Sequence, residues 1–524
     1  MIYRSSFPDV EIPGGTLVEH VLEHAREHGD KTALVDALSG ERLSYRDLAD
    51  GVDAAAAGLA ELGVGPGDVV AVLSHNQPRY ALAVYAVLRA GAAVAPMNPV
   101  LTGEELTKQL ALAKAKAVVS SAASAPKAAD AALSAGTPHH LVLDSSADWP
   151  GPGTPFAKLL TSRRTPPDLE IDPATALAVL PFSSGTTGLP KGVMLTHRNV
   201  VANLEQNAAG WHVGSADVVS AALPFFHIYG FVIILATALR AGATIVTLPK
   251  YSLAAYLQMV QDYRVTRAFL APPIVLALAS APEVDRYDLS SLQRGICGAA
   301  PLDVNVAERA ESRIGVLIRQ GYGMTEASPG TNFVPDEEFP TTPAGSVGRL
   351  VPNTEARLVD PATGEDSAPG QPGELWVSGP QVMRGYLDNP QASAETIVDG
   401  KWLRTGDIVR IDEAGHYWVV DRLKELIKYK GYQIAPAELE SVLLTHPDVL
   451  DAAVVGVPHR EGGEAPKAVV VAAGPTDAQA LMDWVAERVA PYKKIREVEF
   501  VDEIPKSPSG KVLRRLLRSQ APSR

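Results

Sequence analysis

The sequence predicts an α/β protein: a large N-terminal domain of two βαβ-type subdomains plus a β-barrel-like subdomain, and a small C-terminal α/β domain. Three observations predict it. Short β-like runs alternate with helical patterns in two stretches of the first 273 residues, which is the signature of βαβ units on a largely parallel sheet. From about residue 345 the pattern changes to short strands at turn-rich spacing. The last hundred or so residues then alternate strand and helix on their own scale, as a separate domain would. A chain of 524 residues is long enough for several such units.

In order, 68–74 (DVVAVLS) reads as a buried strand and 79–91 as a helix closed by Gly91. Residues 92–97 are a strand, 104–115 a helix, and 116–121 and 140–144 strands. Residues 145–175, rich in Pro, Gly, Ser and Thr, read as a surface connection. A second alternating stretch runs from 174–182 through 243–248 to 267–273. Within it, GFVIILATAL (230–239) ends at Arg240; it is too short to span a bilayer and reads as a buried helix. The runs EARLVD, GELWVSG, KWLRTGD and HYWVVD supply the β-rich unit. Beyond 421–433 come a helix (435–446), two strands, a helix (477–489) and a strand (497–504). The expected division is 1–423 and 424–524, with no internal repeat.

Apolar residues are 46% and charged residues 20%, as in a globular protein with a large core. The net charge of −13 argues against a nucleic-acid partner. The charge is uneven: 424–524 carries +1 and the remainder −14. The last twenty residues hold six cations and no acids, either a solvated tail or a surface that meets a polyanionic small molecule. The start, MIYRSSFPDVEIPGG, has no apolar stretch of signal-peptide type. The single cysteine, Cys297, excludes an intrachain disulfide and fits a reducing cytoplasm, the expected location. It reads as a buried thiol without chemistry, since no base partner is evident.

Residues 183–192, SSGTTGLPKG, form the most informative short stretch. Three glycines let backbone N–H groups turn inward, hydroxyls add donors, and Lys191 adds charge. Such a loop after a buried strand is a phosphate cradle. The Walker A spacing is missing, and the VMLTH that follows Gly192 is a strand pattern, so the loop is expected to join two strands of a hairpin.

This loop, with GYGMTE (321–326), TGD (405–407), DRLKELIKYKGYQIAPAELE (421–440) and PKSPSGKVLRR (505–515), resembles the adenylate-forming enzymes, a superfamily of acyl-CoA synthetases, peptide-synthetase adenylation domains and beetle luciferases. The five motifs lie in the family's order and cover about residues 15–515. PFFHIYG (224–230), GAAPL (298–302) and KELIKYKGYQIAPAELE look most like the 4-coumarate–CoA ligases and their bacterial relatives, which act on phenylpropanoid acids.

The resemblance implies ATP, Mg²⁺ and CoA as cofactors and a small carboxylic acid as substrate. The nucleotide site it implies takes Ser183, Ser184, Gly185, Thr186, Thr187, Gly188 and Lys191 from the loop, Gly298, Ala299 and Ala300, then Gly321, Tyr322, Gly323, Met324 and Thr325. Asp407 would accept from the ribose hydroxyls, with Arg422 beside it. Tyr322 reads either as a core tyrosine or as a face for adenine. Glu326 would hold Mg²⁺, which prefers oxygen ligands. Lys511 would bridge the acid's carboxylate and the α-phosphate, where two anions meet and positive charge is needed. His227 reads either as a core histidine or as the pocket wall beside the carboxylate; the resemblance implies the second. The rest of the wall would be Tyr229, Ile233, Ile296, Gly298, Ala299, Gly321, Pro329 and Gly330, mostly small or flat, which favours a planar aryl acid. Lys424 matches the hinge of a mobile small domain; Lys428 and Gln433 would serve the second half-reaction, and Lys430 and Gly431 the CoA thiol. On residues alone, lysines at 424 and 428 fit one solvated helix face equally well.

The expected activity is an AMP-forming acid–CoA ligase for a cinnamate- or 4-coumarate-type acid. A medium-chain fatty acyl-CoA synthetase, a stand-alone adenylation domain and an inactive binding protein remain alternatives. PKSPSGK (505–511) also resembles the surroundings of lysines that bacterial acetyltransferases modify, which implies an acetyltransferase acting on Lys511.

Overall fold

A computed structural model describes residues 1–146, 148–162, 164–183, 190–429, 432–459 and 463–519. Two predominantly parallel sheets form its bulk. In the first, Val69–Leu73, Ala93–Met97, Ala117–Ser120 and His139–Val142 run parallel. The crossovers are the helices Pro78–Arg89, Gly103–Ala113 and Ala125–Ala135. Their starts are specified locally. Pro78 occupies the first turn, and Thr102 and Glu105 close a reciprocal capping box. In the second sheet six parallel strands, from Thr32–Asp36 to Ile318–Gln320, are flanked by antiparallel Arg42–Ser44. One continuous apolar core joins the two sheets, with Tyr80, Val94, Phe231 and Phe269 all buried.

The strands expected at 68–74, 92–97, 116–121 and 140–144 all form. Helices Tyr45–Glu61 and Ala125–Ala135 come in addition to the expected elements; both are alanine-rich, which blurs an apolar stripe. The 145–175 connection is not wholly a surface strap. Its Phe156–Thr161 turn buries Phe156 and Leu159. A Cβ on Gly58 would lie 2.9 Å from the Leu159 backbone, so this contact needs glycine. The apolar run 230–239 is buried as expected, with one refinement. Tyr229–Ala236 is a π-helix continuing into the α-helix Thr237–Arg240. Among the described residues no helix is long and apolar enough to cross a membrane.

The β-rich unit pairs Glu355–Val359, Gly373–Ser378, Trp402–Ile411 and Tyr417–Arg422 antiparallel, with Tyr3–Arg4 on one edge. It shares a core, including Leu350, Leu375, Val377 and Val409, with a three-stranded sheet that carries Tyr322–Gly323 and Gly330–Phe333. The small C-terminal domain is built on the antiparallel pair Val449–His459 and Gly463–Ala472, to which Glu497–Phe500 adds in parallel. It has its own core of Ile427, Leu439, Val454, Val470 and Leu481. Ile427–Tyr429 pairs antiparallel with Tyr432–Ile434, so Lys428 lies on a strand and not on a helix face shared with Lys424.

Candidate active site

The second sheet sets the floor of the site. Leu270, Cys297 and Gln320 end three neighbouring parallel strands in register. Ligands of open α/β sheets bind beyond such carboxyl ends. The chain leaves them through Ala271, Gly298 and Gly321. Gly298 N–H donates to Leu270 O at 3.1 Å and Gly321 N–H to Cys297 O at 3.0 Å, so both glycines are pinned to the sheet. Ala299 follows at φ 72°, left-handed and exposed. That conformation costs an alanine about 1–2 kcal/mol. Such strain persists where the surroundings over-determine it, as at binding sites.

The Tyr229 side chain lies over this floor, its hydroxyl donating to Ile296 O at 3.1 Å. A Cβ on Gly298 would stand 3.3 Å from the Tyr229 ring, so the two make a flat-sided contact. Ile233 and Ile296 are buried, as is Pro329. A Cβ on Gly321 would meet only Asn332 O, at 3.5 Å. Gly330 is different: its Cβ direction points at Asn203 Oδ1 and the Asn207 amide, each 3.3 Å away. Gly330 also exchanges hydrogen bonds with the Asn203 side chain, N–H to Oδ1 at 3.0 Å and Nδ2 to O at 2.8 Å. The helix His197–Ala208 therefore backs Gly330, a neighbour the sequence did not reveal. Gly323 is required by its own surroundings, since a Cβ would fall 2.2 Å from Pro329 O. Cys297 is buried, which pushes its thiol well above the ordinary range, so it stays protonated and inert.

His227 is half-buried beside this wall. Its Nδ1 accepts the Tyr229 N–H at 3.3 Å, so the neutral ring carries its proton on Nε2. Burial, and then the charge of Lys511, push its pKa down to about 4. The imidazole is thus a neutral hydrogen-bond donor throughout the physiological range. The sign gives a test. Removing the lysine charge favours the imidazolium, so Lys511→Met is expected to raise the His227 titration midpoint, read by NMR of the ring protons. An unmoved midpoint would mean that the lysine does not face His227 in solution.

Lys511 itself sits half-buried in a tight loop of the small domain. Its N–H donates to Ser507 Oγ at 3.1 Å, and its carbonyl accepts Ser507 N–H at 2.8 Å. Gly510 turns the loop at φ +86°, and a Cβ there would lie 2.8 Å from Pro273 of the large domain. Ser441 of the small domain donates to Asp303, which also caps the helix Val304–Ile314. Burial lowers the lysine's pKa, and Arg422 lowers it further; Glu425 and Asp407 oppose them.

Asp407 and Arg422 meet because antiparallel register sets them opposite each other. Arg422 Nε is 3.0 Å from Asp407 Oδ1. The Tyr322 hydroxyl donates to Asp407 Oδ2 at 2.5 Å. Thr405 Oγ1 receives the Asp407 N–H at 3.1 Å, and Gly406, between them in the strand, adopts φ 72°. Asp407 is only 2% exposed; burial pushes its pKa up, while Arg422 and the Tyr322 hydroxyl pull it down.

Thr325 opens the short helix Thr325–Ala327, which turns Glu326 inward. Glu326 Oε1 accepts the Tyr386 hydroxyl at 2.9 Å, while among the described residues Oε2 has no hydrogen-bond donor. No group of three or more His, Cys, Asp or Glu that could hold a metal occurs among the described residues. One buried carboxylate with an unclaimed oxygen fits Mg²⁺, which takes a carboxylate or two and completes its shell with substrate phosphates and water.

The expected hairpin is present: Phe182–Ser183 pairs antiparallel with Lys191–Thr196, Ser183 opposite Lys191. Ser184, Gly185, Thr186, Thr187 and Gly188 lie outside the described residues, as do Lys430 and Gly431. The structure brings together Lys511, His227, Asp407, Arg422 and Tyr322, and separately Lys191 and Glu326 through Tyr386. Lys428 is exposed and pairs in register with Gln433; it belongs to none of the contacts that define the Lys511 site. Lys424 is exposed at the junction of the domains. Sequence reasoning missed Tyr386, Asn203 and Asn207. None stands in a pattern that advertises chemistry.

Two α/β layers, an antiparallel pairing of Ser183 with Lys191 and a lysine presented by a second domain fit the class of adenylate-forming enzymes. The AMP-binding enzyme family matches residues 21–387, and its C-terminal domain matches residues 438–511. The chain belongs to this family and is an AMP-forming acid–CoA ligase. It is 39% identical to 4-coumarate–CoA ligase 3 of Oryza sativa subsp. japonica, over 99% of this chain and 95% of that protein. ATP-bound MatB of Rhodopseudomonas palustris superposes with a TM-score of 0.86 at 28% identity, covering 97% of this chain and 99% of that one. A benzoate CoA ligase of Burkholderia xenovorans LB400 gives 0.86 at 27% identity, covering 96% and 100%.

Proposed function

We propose that this ligase activates an arylacrylic acid of the cinnamate or 4-coumarate type. The observation that carries the reading is the wall beside His227, where the Tyr229 ring and side-chain-free Gly298 make a flat surface. Full-length similarity to a 4-coumarate–CoA ligase supports it.

In the first half-reaction a carboxylate oxygen attacks the α-phosphorus of ATP. The bond from that phosphorus to the bridging oxygen breaks, and pyrophosphate leaves with its electron pair. Lys511 supplies charge where the carboxylate and α-phosphate converge, and the His227 Nε2–H donates to an oxygen there. Asp407 and Arg422 hold the ribose, and the loop ending at Lys191 holds the β- and γ-phosphates. Thr325 holds a phosphate oxygen through its hydroxyl, and Glu326 would hold Mg²⁺, which when bound neutralises phosphate charge. In the second half-reaction the CoA sulfur attacks the acyl carbon, the thiol loses its proton, and AMP leaves. For this step the small domain, taken as 424–524, turns about Lys424 and brings Lys428 and Gln433 to the adenylate. Lys511 is half-buried against the large domain before that turn, so an acetyltransferase would reach it only after it.

Pyrophosphate release screened across aryl and alkyl acids, with and without CoA, tests the substrate class. Cinnamates are expected to give the highest kcat/KM and to yield thioester only with CoA. Preference for octanoate over every aryl acid would assign the enzyme to medium-chain fatty acids instead.

A further inference from the structure

The two halves of the phosphate site, Lys191 at the end of the loop and Glu326 in the GYGMTE turn, come from segments 135 residues apart in the chain. A third segment lies between them. The two-residue strand Gly385–Tyr386 pairs antiparallel with Lys191–Thr196, setting Tyr386 opposite Val193 and Gly385 opposite Met194. Backbone bonds extend the seam: Arg384 N–H to Met194 O at 2.9 Å and Leu387 N–H to Gly192 O at 2.8 Å. The same segment is tied to the turn, because Met383 N–H donates to Glu326 O at 2.9 Å. Gly385 adopts φ +145° to make this double attachment, and Ser393 Oγ accepts the Tyr386 N–H at 2.8 Å.

The Tyr386 side chain repeats that bridge with chemistry. It is 7% exposed, as is Glu326. Its hydroxyl donates to Glu326 Oε1 at 2.9 Å. Its ring lies 4.8 Å from Lys191 Nζ, within cation–π range. A carboxylate that has one oxygen engaged by a fixed donor keeps its other oxygen in a fixed direction. A lysine resting on an aromatic face is likewise held without being neutralised. Both effects act on groups that would meet the triphosphate, and neither needs Tyr386 to touch it.

We propose that Tyr386 is a positioning residue of the phosphate site: it aims Glu326 at Mg²⁺ and steadies Lys191 for the phosphates. The proposal rests on the assignment of Glu326 as the metal-holding carboxylate. Supporting partners of this kind typically change metal affinity by about 10–100-fold when removed.

The test uses the full-length enzyme and measures binding of a non-hydrolysable ATP analogue by calorimetry as MgCl₂ is titrated, alongside pyrophosphate release. Tyr386→Phe keeps the ring under Lys191 and removes only the hydroxyl. It is expected to raise the Mg²⁺ concentration for half-maximal nucleotide binding on the order of tenfold, with the KM for the acid and Mg²⁺-free nucleotide binding unchanged. Tyr386→Leu removes the ring as well and should also weaken Mg²⁺-free nucleotide binding; if it does not fold, the phenylalanine variant carries the test alone. In a Glu326→Gln background the phenylalanine change should add nothing. If Glu326→Gln shifts the Mg²⁺ dependence and Tyr386→Phe does not, the positioning role is wrong while the metal assignment stands. If Glu326→Gln itself leaves the Mg²⁺ dependence unmoved, the metal assignment fails and the proposal falls with it. A Tyr386→Phe enzyme that loses affinity for acid and nucleotide alike would show a structural role only.

Discussion

Lys511→Ala is expected to lose adenylation by a factor on the order of 10²–10³, while converting supplied acyl-adenylate and CoA to thioester at close to the parent rate. The size follows from where the charge stands. Before ATP and acid bind, burial and Arg422 already lower the lysine's affinity for its proton. A cation held under that stress is stabilised most when two anions approach it together, which happens only on the way to the adenylate. The spared half-reaction follows from the docking of the small domain. Gly510 lies against Pro273, and Ser441 reaches Asp303; both contacts belong to the arrangement that presents Lys511. In the function we propose, thioester formation uses a different arrangement, in which Lys428 and Gln433 take the place of Lys511. Single-turnover kinetics of each half, started from ATP plus acid or from synthetic adenylate plus CoA, separate the two. Equal slowing of both halves would rule out a lysine used in one pose only.

Much of this site is legible in the residues, and the legible part has a common cause. SSGTTGLPKG pairs glycines with polar side chains, a composition that cannot pack a core and so announces a loop with another task, whereas TGD lies within the strand Trp402–Ile411 and is read through the resemblance. The hairpin at Lys191–Thr196 is readable because VMLTH has a strand pattern whatever surrounds it. Gly298 and Gly321 are named through the resemblance; that they follow the ends of the adjacent strands Arg294–Cys297 and Ile318–Gln320 comes from the structure.

What stays hidden in the sequence is set by tertiary contact. Tyr386 sits in a two-residue strand with no periodicity to read, and its meaning depends on Lys191 and Glu326, both distant in sequence. Gly330 reads as open pocket wall, but the direction of its missing Cβ, toward Asn203 and Asn207, is a fact of helix packing. The pairing of Asp407 with Tyr322 depends on two sheets meeting. His227 can be read as core or wall; the hydrogen bond from Tyr229 N–H to its Nδ1 fixes its tautomer, which no spacing encodes.

Asp407→Ala is expected to raise the KM for ATP about tenfold or more, the loss appropriate to charge-assisted hydrogen bonds, with far less effect on the KM for the acid. Asp407 is pinned by its own backbone to Thr405 and lies opposite Arg422 in the sheet. Both carboxylate oxygens already have a protein donor, Arg422 on one and Tyr322 on the other. Each oxygen accepts more than one hydrogen bond, so the protein donors orient the carboxylate and still leave lone pairs for two ribose hydroxyls. Burial works against the charge and Arg422 works for it, so the group is strong as an acceptor only while Arg422 stays in place. Alanine therefore removes the ribose contacts and also frees Arg422 and Tyr322 from their partner. Asparagine keeps one acceptor oxygen and the shape, and should fall between alanine and the parent. Tyr322→Phe leaves the carboxylate and its arginine, and should cost less than either. Initial rates against ATP at saturating acid, and against acid at saturating ATP, give the two constants for each variant. An Asp407→Ala enzyme whose KM for ATP matched the parent would show that the ribose is held elsewhere, and that the Asp407–Arg422–Tyr322 cluster serves only to join the β-rich unit to the three-stranded sheet that carries Tyr322.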